Sequence, residues 1–272
     1  MEKMKSPKIT IVTPSYNQGK YIERTIQSVI SQDYSNSEFI ICDGGSNDDT
    51  VEIIKKYADN IAWWCSEKDE GQADAINKGM KKATGDIVIY LNSDDVLLPG
   101  ALRTVANYFE RHPETDLLNG DVAEITADDK FICRVMFLND ARMFKSGCYN
   151  ICQQAMFWRR DVFEKIGYFD KSFHATMDKE FLIRVFEGGL KIVHINKVLG
   201  AIRIYAETKT AQGIPAFKTD NDKIWERWHG YVRHRSGFNF FVYRLKRFFL
   251  GYPIMTLWFY LKWRGRDWRT KV

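Results

Sequence analysis

No run of about twenty apolar residues occurs in this chain of 272 residues, so a helix crossing a membrane is not expected. Cysteine is sparse. The five present (42, 65, 133, 148 and 152) are odd in number and form no Cys-x-x-Cys pair, which speaks for reduced thiols and against a disulfide framework or a zinc site. The amino-terminal MEKMKSPKIT has charges but no apolar segment, so no secretory signal is read and a chain kept inside the cell is expected. Internal repeats and low-complexity tracts are also missing, which sets aside solenoids and disordered linkers. Acids are scarce at one end only: residues 223–272 carry 12 Lys or Arg against two acids, so the net charge of +5 is the sum of +10 there and −5 in the remainder. With 45% hydrophobic and 28% charged residues the composition is globular, and the 14% aromatic content is high.

A strand-helix rhythm fills the first hundred residues. KITIVT (8–13), EFIICD (38–43), IAWWCS (61–66) and DIVIYLN (86–92) are apolar, β-branched runs fit for buried strands. Between them lie YIERTIQSVISQ, DDTVEIIKKYA with an Asp cap, and QADAINKGMKKATG, each with helical spacing. This alternation predicts βαβ units and a mostly parallel sheet covered on both faces, with ligands beyond the carboxyl ends of its strands. A helix over 99–111, strands near 116–126 and 131–137, a strand and short helix within 153–167, and a helix over 177–189 follow. That last helix should bury Phe181, Leu182, Val185 and Phe186.

The segments after the four strands read PSYNQGK (14–20), DGGSNDD (43–49), SEKDEGQ (66–72) and NSDD (92–95). Asp, Asn and Gly make turns and caps, which accounts for one such loop more easily than for four at one sheet edge. Asp94 and Asp95 end a buried strand side by side, where their charges repel. A hard divalent cation, Mg²⁺ or Mn²⁺, bridging to substrate phosphates would relieve that repulsion.

Taken in order and spacing, TPSYNQGKYIERTIQSVISQ, DGGSNDDT, SEKDEGQADAINKGMKKATGD and YLNSDD resemble the family 2 glycosyltransferases of the GT-A fold, over roughly residues 7–210. The resemblance implies a GT-A, Rossmann-like, mostly parallel α/β sheet flanked by helices. It also implies a metal-dependent, inverting enzyme that uses a nucleoside diphosphate sugar, a UDP-sugar above all, to add one sugar to an acceptor hydroxyl. Pro14, Ser15 and Tyr16 would hold the base, the ring by stacking. Asp43 would accept from the uracil imide, Asp69 with Gly71 and Gln72 would line base and ribose, Asp94 would contact ribose or its waters, and Asp95 would bind the metal. In HATMDKEFLIRV the acidic pair of the family is reduced to Met177 and Asp178, and Asp178 is the expected base. The helix dipole there should hold its pKa down. Gln153 and Gln154 fall where the family lines the sugar pocket, while Glu180 and Arg184 are spaced for a surface ion pair.

Two departures from the family pattern are visible. The Arg-x-His segment that supplies a metal-reaching histidine is IRIYAETKT here, with Arg203 kept and Tyr205 at the histidine position. No QxxRW motif follows, which argues against processive synthesis. The catalytic domain is expected over 1–210 and a helical, basic and aromatic extension over 211–272, with a basic helix over 216–235. From Phe248 to Leu261 no residue is charged, and Pro253 interrupts the run. Such a tail suits a membrane interface better than nucleic acid, and it would fit a glycan or lipid-linked acceptor at the inner face of the cytoplasmic membrane in bacterial surface polysaccharide assembly. Packing of the same aromatics on the domain is the plain alternative. The competing functions are a silent nucleotide-binding membrane adaptor and a nucleotidyltransferase; the latter needs a Gly-rich basic loop that PSYNQGK does not provide.

Overall fold

A computed structural model describes residues 6–137, 139–228 and 237–269. Nine strands form one sheet: β1 (Ile9–Ser15), β2 (Ser37–Asp43), β3 (Trp63–Ser66), β4 (Ile87–Tyr90), β5 (Val96–Leu97), β6 (Leu117–Thr126), β7 (Phe131–Val135), β8 (Met156–Arg159) and β9 (Ile192–Ile204). The order is β3-β2-β1-β4-β8-β6-β9-β5, with β7 added on β6. Strands β1 to β4 pair in parallel, as the strand-helix alternation predicts. From β8 onward antiparallel pairs enter, at β4/β8, β6/β8, β6/β7 and β5/β9, while β6/β9 is parallel. The sheet is therefore mixed and mostly parallel, flanked by helices.

Burial explains why the first strands read as continuous apolar runs. All seven residues of β1 and all four of β4 are buried, because helices cover both faces. The helix Gln72–Lys82 approaches so closely that a Cβ on Gly79 would stand 2.3 Å from Val12 Cγ1. Only glycine fits there, which outweighs its poor helix propensity. Register aligns the ends of the parallel strands, with Ser15 opposite Asp43 and Asp43 opposite Ser66.

A second apolar cluster joins Val96, Leu98, Ile125 and Phe131 to Phe259, Trp263 and Trp268 of the tail. The helix Tyr252–Trp263 thereby lies against β7. Its start differs from the expected interruption at Pro253: the chain breaks at Gly251, whose φ is 75°, and Pro253 sits in the first turn, where its missing N–H costs nothing. The expected basic helix over 216–235 is observed as Ala216–Arg227, packed on the main core through Ile224. Residues 229–235 of that expectation lie outside the described residues.

Candidate active site

Hydrogen bonds stitch the four loops into one wall at the carboxyl edge. Ser46 Oγ accepts from Asn17 N–H at 2.7 Å, and Asn17 Oδ1 accepts from Asn47 N–H at 3.0 Å. Asp48 accepts from Gly19 N–H at 2.9 Å, so three hydrogen bonds tie the first loop to the second. Asp43 accepts from the N–H groups of Gly45 and Ser46 and from the hydroxyls of Ser46 and Ser66, which locks the second loop to the end of β3. Gly44 lets the third loop close on the second, since a Cβ there would stand 2.7 Å from Asp69 Oδ2. Gln72 Nε2 donates to Asn92 Oδ1 at 2.8 Å and so reaches the fourth loop.

Pro14 and Ser15 are buried at the end of β1, and Ser15 Oγ has no hydrogen-bond partner among the described residues. Tyr16 stands 60% exposed next to them, an open ring face as base stacking requires. Asp43 already accepts four donors, about the capacity of a carboxylate. A base N–H would have to replace one of the serine hydroxyls.

The adjacent aspartates point to different surroundings. Asp95 is 2% exposed and fully engaged by protein donors. Its Oδ1 accepts from Arg203 N–H at 3.0 Å, and its Oδ2 accepts from Gln154 Nε2 at 2.8 Å, Gln153 Nε2 at 3.2 Å and Asn92 Nδ2 at 3.3 Å. Burial, then the charge of Asp94, pushes its pKa upward. Gln153 and Gln154, expected at the sugar pocket, are buried and donate to Asp95. Asp94 is half-buried, and its Oδ2 accepts from Tyr205 Oη at 2.8 Å. Burial raises its pKa too, against the opposing effect of Tyr205. Arg203, fully buried, pins the pair by donating from Nε to the Asp94 carbonyl at 2.9 Å, and its Nη1 pairs with Asp129 at 2.7 Å.

Asp178 occupies the first turn of the helix Met177–Glu187. Lys179 N–H donates to its Oδ1 at 2.7 Å, yet burial dominates and lifts the carboxyl to about 6. The helix terminus was expected to hold the pKa down; desolvation outweighs it. The charges of Asp178 and Asp95 both act on the buried Tyr90 hydroxyl, so the expected base and Asp95 lie near one phenol. Tyr149 also feels Asp178. Glu180 and Arg184 do pair, at 2.7 Å, but Glu180 is buried, and Arg184 also donates to the Ile166 and Tyr168 carbonyls, so the pair is a structural clamp.

Lys209 is a site residue that sequence reasoning did not single out. Its Nζ donates to Gln72 Oε1 at 2.9 Å; burial lowers its pKa, against the charges of Asp94, Asp220 and Asp69, which raise it. It is a basic side chain set among these three acids. Among the described residues no three His, Cys, Asp or Glu side chains form a metal cage. A hard cation held by one or two carboxylates plus substrate phosphates needs no cage, and the desolvated Asp94, with a single phenol on its Oδ2, fits that role.

Comparisons with known proteins bear on the fold and the family. A glycosyltransferase of PGL/p-HBAD biosynthesis from Mycobacterium bovis is 33% identical over 187 residues, covering 67% of this chain and 71% of its own. An uncharacterised glycosyltransferase of Rickettsia prowazekii is 25% identical over 242 residues, covering 84% and 72%. Among solved structures, S. aureus TarS 1–349 in complex with UDP-GlcNAc superposes with a TM-score of 0.64 at 19% identity, over 80% of this chain and 66% of that one. The mannosyltransferase PcManGT from Pyrobaculum calidifontis, in complex with GDP-Man and Mn²⁺, gives 0.59 at 17%, over 84% and 72%. These likenesses establish a GT-A-like fold. The profile of glycosyl transferase family 2 matches residues 10–167, more than half of the sequence, and this chain belongs to that family.

Proposed function

We propose that this glycosyltransferase moves one sugar, with inversion, from a UDP-sugar to an acceptor hydroxyl of a lipid-linked glycan during surface polysaccharide assembly. The observation that carries the reading is the cluster of Asp94, Tyr205, Lys209 and Gln72 beside the loops of the base pocket. Tyr16, Pro14 and Ser15 receive the base, Asp43 shapes the loop beneath it, and Asp69 and Gln72 flank the ribose. UDP-GlcNAc in the S. aureus relative and GDP-Man in the Pyrobaculum one support a nucleoside diphosphate sugar here.

Asp178 takes the proton of the acceptor hydroxyl. The freed oxygen attacks the anomeric carbon from the face opposite the leaving diphosphate, forming the new C–O bond as the old one breaks. Lys209 offsets charge on the departing phosphates. A bound Mg²⁺ or Mn²⁺ would add Lewis-acid stabilisation of that leaving group. Asp94, a partly buried carboxylate that accepts from Tyr205 Oη, would hold it, because Asp95, the expected metal ligand, is already engaged by Gln153, Gln154, Asn92 and Arg203. The enzyme would work peripherally at the inner face of the cytoplasmic membrane through its C-terminal extension.

Calorimetric titration of UDP, GDP and dTDP with and without Mn²⁺ tests the assignment. Metal-dependent UDP binding, lost in Asp94→Asn, is expected. Binding of none of the three would overturn the donor class and favour the silent adaptor. Intact metal dependence in Asp94→Asn with its loss in a folded Asp95→Asn would return the metal to Asp95.

A further inference from the structure

The helices Gly237–Phe249 and Tyr252–Trp263 form a hairpin with two unlike faces. One face is buried against the domain through Tyr243, Tyr252, Phe259 and Trp263. The other is apolar and open: eleven of the fifteen large hydrophobic side chains exposed among the described residues lie between Phe238 and Leu261, with Phe249 82% and Ile254 74% exposed. No described helix is long and apolar enough to cross a membrane, so such a face would lie in the plane of an interface. Residues 237–269 carry seven Lys or Arg and a single acid, Asp267. A second copy of this hairpin would bring like charge against like; an anionic bilayer would not.

Between the helices runs a largely apolar groove of about 520 Å³, with Arg244 and Arg247 on one side and Tyr252, Pro253, Thr256 and Leu257 on the other. The two arginines are one helical turn apart, and neither has a carboxylate within ion-pairing distance among the described residues. Like charges at this spacing repel, and a shared anion relieves that cost. The Arg247 guanidinium stands 5.5 Å from the Tyr243 ring and 5.6 Å from the Tyr252 ring, which fixes it at the groove. Paired guanidiniums suit phosphate oxygens, and the apolar walls below suit a hydrocarbon chain.

We infer that this groove is a binding site for an anionic phospholipid of the bilayer on which the hairpin lies, its phosphate held between Arg244 and Arg247 and its acyl chain along Pro253, Thr256 and Leu257. This deepens the peripheral-membrane reading above and rests on it. The site gives the tail a lipid contact that a diffuse basic surface lacks.

The test is flotation of the full-length protein with vesicles of phosphatidylcholine alone or mixed with phosphatidylglycerol. Wild type should float with the mixed vesicles, and Arg244→Gln with Arg247→Gln should lower the partition coefficient about 30-fold, two basic contacts at about 1 kcal/mol each. Thr256→Trp fills the groove without changing charge and should also weaken binding, whereas a face that merely rests on the bilayer would hold as well or better with the added indole. Unchanged binding by Thr256→Trp, in a protein with a wild-type circular dichroism spectrum, overturns the groove site while leaving peripheral attachment intact. Failure of wild type to float overturns both, and a dimer in light scattering would then identify a second copy as the occupant. UDP titration on the same samples reads the donor site separately, so the two failures are distinguishable.

Discussion

At Asp178 the proposed role as base and the stability of the fold pull in opposite directions. A carboxyl lifted from 3.8 to about 6 by burial is a better proton acceptor at neutral pH than an ordinary aspartate, and its ionised form is disfavoured in the folded chain. Because the folded pKa exceeds the unfolded one, the native state binds more protons across that interval. Stability therefore falls as pH rises from about 4 to about 6 and stays lowered above it, by an upper bound on the order of 3 kcal/mol. Two outcomes are expected for Asp178→Asn: turnover drops by about 10²- to 10⁴-fold, the usual worth of a general base, while the thermal midpoint at pH 7.5, a setting about neutral, stays level or rises. In the wild type, kcat/KM should increase with pH and level off above about 6, the limb that this carboxyl imposes. A pH–rate profile and a thermal melt check both; a variant that loses stability together with activity would mark Asp178 as structural. The position of Asp178 was legible in the sequence because one helix start carries it. Its pKa was not, since the burial that outweighs the helix terminus comes from packing between elements distant in sequence.

At the level of elements the two ends of the parallel strands have separate tasks. The carboxyl ends carry the cleft, while the amino ends are tied by Glu38, which accepts from Lys8 Nζ at 2.8 Å, Thr10 Oγ1 at 2.6 Å and Thr84 N–H at 2.8 Å. Burial alone would raise its pKa, but these donors prevail and lower it to about 2. A depressed folded pKa means stability that is present above 4.5 and lost as pH falls toward about 2. Glu38→Gln is expected to cost about 2–4 kcal/mol in urea unfolding at neutral pH, flatten that acid limb, and leave UDP affinity unchanged. Reduced UDP affinity would mean that the two ends are coupled. The parallel half of the sheet could be read in advance, since each strand and its loop are contiguous in sequence. Adjacent Asp94 and Asp95 were also visible as a pair, but they lie in the turn between β4 and β5, and which of them is enclosed depends on amides and an arginine from beyond residue 150. Tyr205 and Lys209 depend likewise on where the long strand β9 ends, a register set by pairing with β6 and β5 across large sequence separations.

For the molecule as a whole, the tail has a structural role that bears on how its attachment can be tested. Trp268 N–H donates to the Asp129 carbonyl at 3.1 Å, and the Asp129 carboxylate pairs with Arg24, Arg203 and Arg269. The tail thus contacts the aspartate that pairs with Arg203, the arginine that holds the Asp94 carbonyl. It also buries Tyr243, Tyr252, Phe259, Trp263 and Trp268, and at about 1.5–3 kcal/mol for each large apolar side chain these amount to on the order of 10 kcal/mol before ordering costs. That is comparable with the whole stability of a typical domain, about 5–15 kcal/mol. A chain ending at Arg227 would uncover Phe131, Val96, Leu98 and Ile125 and strip the cover from the Asp129 cluster. It should aggregate, or unfold without a cooperative transition in calorimetry. Phe249→Ser with Ile254→Ser removes exposed surface alone and should keep the wild-type thermal midpoint and UDP binding while losing the vesicles. A soluble, cooperatively folding truncation that still binds UDP would instead show that the domain needs nothing beyond residue 227, and the aromatic richness of the tail would then belong to the membrane face alone.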